Sequence, residues 1–149
     1  MHTAGLFLAS FVVIMFAAGA GKIAQAAEAI MLRAGEVTGP NAVFAFDKDA
    51  KPQRIVVRTT QVGVAGSRIE VTIDKAKTPV FSHIFATTEC KFGDRGSNCE
   101  VTIPATNTAY AKILARFKRG LVARVTIADA GVMKMDQTAS LRGFTKSLR

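Results

Sequence analysis

The stretch Arg68-Ile69-Glu70-Val71-Thr72-Ile73-Asp74 alternates strictly between apolar and polar side chains. Because successive side chains of a β-strand point to opposite faces, this period of two predicts a strand. Ile69, Val71 and Ile73 are then expected to face a core, and the charged and hydroxyl residues between them face outwards. The β-branched side chains favour the same structure.

Strand patterns recur on both sides of this stretch and are separated by turns rich in Gly, Pro and Asp. The segment from Ala27 to Arg33 does not show a strand pattern. It predicts only a helical turn or a linker, which Gly39-Pro40-Asn41 ends. Together with residues 68–74, about seven short strands are expected, the others lying at residues 43–46, 54–62, 80–86, 100–103, 121–127 and 132–136.

The period changes once, near residue 107. A helix is expected to begin there and to end at residue 119. Asn107 or Thr106 can cap the start of this helix, and Gly120 suits the position after its end. A short terminal helix is also expected at residues 145–149. The sequence therefore predicts an all-β fold, an antiparallel β-sandwich or barrel-like domain with one amphipathic helix near residues 107–119. Apolar side chains follow the helical spacing i, i+3, i+4, i+7 at Tyr110, Ile113, Leu114 and Phe117.

The chain begins with the pattern of a secretory signal peptide. Residues 6–18 form an apolar run that is shorter than the roughly 20 residues needed to span a bilayer. Ala24-Gln25-Ala26 provides an A-x-A cleavage site, which predicts a signal peptide at residues 1–26 and a single domain at residues 27–149. Lys22 after the run leaves two alternatives open, an uncleaved membrane anchor or a buried soluble helix.

The chain is strongly basic, with a formal net charge of +9. A basic exported protein is attracted to anionic surfaces such as lipopolysaccharide, phospholipid or glycan. Lys112, Arg116 and Arg119 share the helix face opposite the apolar stripe and are the candidate residues for binding such an anionic partner. The alternative is a solvated helix face whose charges favour the helix dipole. No specific nucleic-acid recognition is expected, and the sequence does not fix an oligomeric state.

The two cysteines, Cys90 and Cys99, enclose residues 91–98, which are rich in turn-forming residues. In an oxidising compartment this spacing predicts a disulfide that closes a hairpin. Such a bond stabilises the fold by about 2–3 kcal/mol. The alternatives are a metal site, which lacks a nearby His or second Cys pair, and a redox pair, which would need C-x-x-C spacing.

Catalysis finds little support in the sequence. His83 is the one histidine after the leader, and the adjacent Ser82 points to the opposite face of a strand, so the two cannot act as base and nucleophile. His83 is expected to be a packed sheet residue. The carboxylates are scattered over turns, so no catalytic, cofactor or metal residues are predicted. A periplasmic envelope hydrolase that uses such carboxylates remains the alternative function.

The chain ends with Ser140-Leu141-Arg142-Gly143-Phe144-Thr145, which resembles the closing S-L-x-G-F-T segment of the invasion-associated locus B family. Cys90 to Cys99 with the strand that follows resembles the cysteine-bearing strand pair of that family. Residues 110–120 then resemble its amphipathic helix, in the same order along the C-terminal half of the chain. Many members also carry a Trp and a further cysteine near the mature start. This chain has neither, so it is expected to be a divergent member.

The resemblance implies an exported protein of Gram-negative bacteria, located in the periplasm or at the outer membrane or cell surface. The founding role of the family is in host-cell entry, and it offers no catalytic residues to transfer. We therefore expect a non-enzymatic envelope protein that contributes to host-cell interaction or invasion through a basic surface. If the leader is retained, a membrane-anchored scaffold is the alternative.

Overall fold

A computed structural model describes residues 29–148, so the predicted signal peptide at residues 1–26 lies outside the described part of the chain. Strands dominate this part. Two helices, α1 (Thr108–Arg119) and α2 (Phe144–Ser147), accompany a short 3-10 turn at Thr87–Glu89. The strands are β1 (Ala29–Gly35), β2 (Asn41–Asp47), β3 (Arg54–Thr60), β4 (Arg68–Ile73), β5 (Phe81–Ile84), β6 (Cys90–Gly93), β7 (Gly96–Pro104), β8 (Val122–Asp129) and β9 (Val132–Ser140).

The strands form two antiparallel sheets that pack as a sandwich, which confirms the predicted fold class. One sheet has the order β1-β2-β3-β7-β6, and the other has the order β5-β4-β8-β9. The two sheets approach each other where β1 lies against β9. The open sides of the sandwich therefore expose β6 and β5 as edge strands.

The inner faces of the sheets follow the predicted alternation. Ile69 and Val71 on β4 have no exposed surface, and Ile73 at the end of the strand is also buried. On the neighbouring strand β8, Ala123, Val125 and Ile127 are fully buried as well. Because side chains of period two from both sheets meet here, they form one hydrophobic core between the layers.

The prediction for Ala27 to Arg33 is wrong, because residues 29–35 form a strand and neither a helical turn nor a linker. β1 pairs with β2 along its whole length, from Ala29 opposite Asp47 to Gly35 opposite Asn41. This ladder pairs the backbone groups that face β2, whereas an isolated helical turn is marginal in water. Ala34 is fully buried in the core, so tertiary pairing outweighs the weak local preference.

The two ends of the sandwich are built differently. At the helical end lie α1, α2 and the connections β2–β3 and β4–β5. At the loop end lie the turns β1–β2, β6–β7 and β8–β9 together with the connection β3–β4.

Helix α1 closes the core at the helical end. The side chain of Asn107 accepts the backbone N–H of Ala109 at 2.9 Å, so the predicted cap is confirmed. Ile113 and Phe117 are fully buried. Aromatic rings from β2 and α2 surround the Phe117 ring, with centroid distances of 5.9 Å to Phe44, 5.5 Å to Phe46 and 5.7 Å to Phe144.

The two cysteines form the predicted disulfide and lie directly opposite each other in a hairpin. The hairpin arms are nevertheless formed by the residues inside the cysteine loop, because β6 and the start of β7 pair up to Gly93 opposite Gly96. The strand predicted at residues 80–86, before the loop, is β5 in the other sheet and not an arm of this hairpin. The disulfide thus fastens a narrow hairpin whose turn is Asp94-Arg95.

Candidate functional site

The predicted basic residues lie on the outer face of α1. Lys112, Arg116 and Arg119 are all exposed, while Ile113 and Phe117 bury the opposite face of the helix. The packing of α1 against the core therefore directs three cations into solvent. We call Lys112, Arg116 and Arg119 the basic face.

No carboxylate of residues 29–148 lies within 4.0 Å of the charged groups of the basic face. Arg124 belongs to the same basic stretch of sequence but differs, because its guanidinium donates to Asp136 at 2.8 and 2.5 Å. These hydrogen bonds hold the pKa of Asp136 below its ordinary value. The charge of Arg124 is thus neutralised locally, whereas the charges of the basic face are available to a partner.

Arg116 and Arg119 line a small pocket of about 250 Å³ where α1 meets the end of β4. Its other walls are formed by Ile73, Asp74, Ala76 and Gly120. Lys112 is not part of the lining and lies one helical turn before Arg116. The structure therefore brings two of the three predicted residues to one pocket and leaves the third beside it on the same face.

Asp74 fixes the geometry of this pocket. Its carboxylate accepts the backbone N–H of Leu121 at 3.0 and 3.1 Å and that of Val122 at 2.9 Å. Asp74 adopts a left-handed backbone with a φ of 50°, a conformation that Asp tolerates better than most residues. The carboxylate holds the chain where α1 ends and β8 begins, and so positions Arg119.

Gly120 allows the tight approach of α1 to β4. A Cβ atom at this position would lie 2.3 Å from the Cγ2 atom of Ile73, well inside van der Waals contact. Any side chain here would push the end of α1 away from β4. The pocket beside Arg116 and Arg119 therefore depends on a glycine as well as on Asp74. The sequence indicated Gly120 as a helix terminator, and no local pattern pointed to its contact with Ile73.

His83 packs in the sheet with its ring between two phenylalanines. Its ring is stacked on Phe81 with centroids 6.2 Å apart and meets the edge of Phe85 at 5.5 Å. Its Nε2 atom lies 2.9 Å from Oε1 of Glu89, which also accepts the backbone N–H of Ala86 at 2.7 Å. Burial alone would raise the pKa of Glu89, but these hydrogen bonds outweigh it and lower the pKa.

Between residues 29 and 148, no group of three or more His, Cys, Asp or Glu side chains is arranged to hold a metal ion. Neither α1 nor α2 combines the length and hydrophobicity needed to cross a membrane.

Comparisons with known proteins return no relative. No protein-family model matches the chain, and neither a curated protein nor a solved structure matches it. The resemblance to the invasion-associated locus B family therefore stays a prediction from the sequence.

Proposed function

We propose that this protein is an exported, non-enzymatic envelope protein that binds an anionic partner through the basic face. One observation carries the proposal. Lys112, Arg116 and Arg119 are exposed and unpaired among the described residues, and two of them line one pocket. Elsewhere in the same region, Arg124 is bound to a carboxylate.

The chemistry of the basic face suits phosphate or sulfate groups. A guanidinium presents a planar set of N–H donors that binds two oxygens of one anion, and Lys112 adds a point charge. The sequence contains no Asp or Glu from Val101 to Ala128, so the electric field over α1 is not weakened by acidic neighbours on the same element. Lipopolysaccharide, phospholipid and sulfated glycan all carry groups of this kind.

The proposed location is the periplasm or the outer membrane and cell surface. The disulfide between Cys90 and Cys99 supports an oxidising compartment. The order of hairpin, helix and closing segment supports membership of the invasion-associated locus B family, with a role in host-cell interaction. In that role the basic face would contact an anionic component of the envelope or of the host surface.

A binding assay on charge-reversal variants tests the proposal. The variant Lys112→Glu/Arg116→Glu/Arg119→Glu should bind vesicles of phosphatidylglycerol and phosphatidylcholine about 100-fold or more weakly, because each cation near an anionic membrane contributes about 1 kcal/mol. Lipopolysaccharide and heparin serve as the other two probes. Binding of the wild-type protein should weaken as salt is added, since the contact is electrostatic.

The matched control reverses three exposed cations outside α1 and outside the turns of the loop end, Lys51, Arg68 and Arg142, and changes the net charge by the same amount. This control should retain most of the binding, and all variants should keep the melting temperature of the wild type. Equal losses in the two variants would mean that only net charge matters. Unchanged binding of the basic-face variant to all three probes would rule the proposal out.

A further inference from the structure

The loop end exposes more apolar side-chain surface than a solvated turn region needs. Phe92, near the tip of the disulfide hairpin, is 88% exposed, and Val37 in the β1–β2 turn is 73% exposed. Val132 and Met133 after the β8–β9 turn are also more than half exposed. Single exposed apolar residues are common, but clusters of them mark interaction sites.

Two pockets connect these residues into one surface. A pocket of about 380 Å³ lies between Val37 and the hairpin turn at Asp94-Arg95. A second pocket, of about 440 Å³, has Phe92 on one wall and Lys134 of β9 on another. Since Gln61 lines both, the pockets adjoin, and the loop end offers both a protruding ring and a cavity that can receive one.

The loop end carries equal numbers of positive and negative side chains that form no salt bridges within the described chain. Glu36, Asp94 and Asp129 form no salt bridge within the described chain, and neither do Lys91, Arg95 and Lys134. Most other carboxylates are engaged, since Asp47, Glu70, Glu89, Glu100 and Asp136 pair with Arg or His and Asp74 binds backbone N–H groups. Unpaired charges of both signs therefore gather beside the exposed apolar residues.

Exposed apolar residues, adjoining pockets and balanced charges together fit one binding partner, a second copy of the same chain. We propose that two copies associate through their loop ends about a two-fold axis, with Phe92 of each copy in the 440 Å³ pocket of the other. Copies of so basic a chain repel one another, so they can approach closely only where local charges cancel. A two-fold contact joins the same surface of both copies, so each surface must carry both signs of charge, as this one does.

The loop end is preorganised for such a contact. The disulfide fastens the hairpin that carries Phe92, and the Gln61 backbone N–H donates to the side chain of Asn98 at 3.0 Å. The side-chain amide of Gln61 also donates to the carbonyl of Thr38 at 3.2 Å, which ties the β1–β2 turn to the same region. Loops held in place lose little conformational entropy on association, which favours binding.

Sedimentation equilibrium of the purified, oxidised protein tests the proposal. We expect a dimer at micromolar concentrations, and we expect Phe92→Glu to raise the dimer dissociation constant about 30-fold or more, the effect of losing a central aromatic anchor. The dimer should persist at high salt, because burial of apolar surface is not screened. Arg95→Glu should weaken the dimer, and the charge swap Asp94→Arg/Arg95→Glu should restore most of the lost affinity.

The matched control is Leu121→Glu, which places the same charge on an apolar residue at the helical end that is 60% exposed. This variant should dimerise like the wild type. A monomer at concentrations far above the micromolar range would overturn the proposal, as would a dimer that Phe92→Glu leaves intact. Monomeric protein that binds phosphatidylcholine vesicles through Phe92 would also overturn it, because the loop end would then contact lipid.

Discussion

The two ends of the sandwich use the same residue type for opposite purposes. Phe117 at the helical end is fully buried among other aromatic rings, whereas Phe92 at the loop end is 88% exposed. The charges differ in the same way, since the basic face carries unpaired cations alone and the loop end carries both signs. Helix α1 thus buries its large apolar side chains and presents charge to solvent, whereas the loop end presents apolar surface beside its charges.

This contrast implies that the two ends respond differently to salt. A contact made by unpaired cations weakens as ions screen it, while a contact made by apolar burial does not. The proposed anion binding and the proposed self-association can therefore be separated in one titration with salt.

The largest effect is expected from truncating the two phenylalanines. Phe117→Ala should lower the free energy of unfolding by about 3–5 kcal/mol, because it removes a buried ring and leaves a cavity. In protein diluted until it is monomeric, Phe92→Ala should change it by less than about 0.5 kcal/mol, as for an ordinary surface substitution. Urea denaturation of both variants measures the difference, and similar losses in the two would show that Phe92 is packed in solution.

Removal of the disulfide should have the next largest effect. Cys90→Ala/Cys99→Ala should lower the free energy of unfolding by about 2–3 kcal/mol, mainly because the unfolded chain is no longer closed into a loop. A reducing agent should lower the melting temperature of the wild type and leave that of the variant unchanged. If reduction has no effect on the wild type, the hairpin is held by its strand pairing alone.

Asp74 tests how the helical end is held together. Asp74→Ala should cost about 1–2 kcal/mol, because two backbone N–H groups lose their acceptor. Asp74→Asn should cost less, since the amide oxygen can still accept and Asn tolerates a left-handed backbone. Asp74→Asn also removes a negative charge from the pocket wall, so this variant should bind anions more tightly at Arg116 and Arg119. Weaker anion binding by the variant would show that the anion binds elsewhere.

The smallest effect is expected from Glu89, which contacts His83 of β5. Because the pKa of Glu89 is lowered in the folded protein, its carboxylate stabilises the fold above the ordinary carboxyl pKa of about 4.3. This contribution disappears as the pH falls through the lowered pKa. Glu89→Gln should therefore cost a few tenths of a kcal/mol at about pH 7 and nothing at about pH 2. A loss that persists in acid would point to packing instead.

Much of the fold could be predicted because its strands alternate clearly. Ile69, Val71 and Ile73 face the core as expected, and α1 begins and ends within one residue of the predicted bounds. β1 was missed because Ala29 to Gly35 has no clear period of two, and its partner β2 supplies the hydrogen bonds that define it. The hairpin arms were missed because their residues are typical of a turn.

The candidate sites differ in how far sequence could reveal them. Lys112, Arg116 and Arg119 could be found because helical spacing alone places them on one face. The contribution of Asp74 could not, because it lies more than forty residues from Leu121 along the chain and reaches it only through the β4–β8 pairing. The loop-end surface depends in the same way on strand order, which brings Val37, Phe92 and Lys134 together.

The position of Ala29 has a practical consequence for handling the protein. Ala29 pairs with Asp47 at the helical end, and α2 closes the described chain at that same end. A fusion partner, affinity tag or bead linkage joined directly before Ala29 or directly after α2 is therefore attached at the helical end. A sample coupled to a surface in this way presents the Phe92 hairpin to solvent and leaves little room around Arg116. Immobilised protein therefore suits measurements on the hairpin. Protein free in solution suits measurements on Arg116 and Arg119.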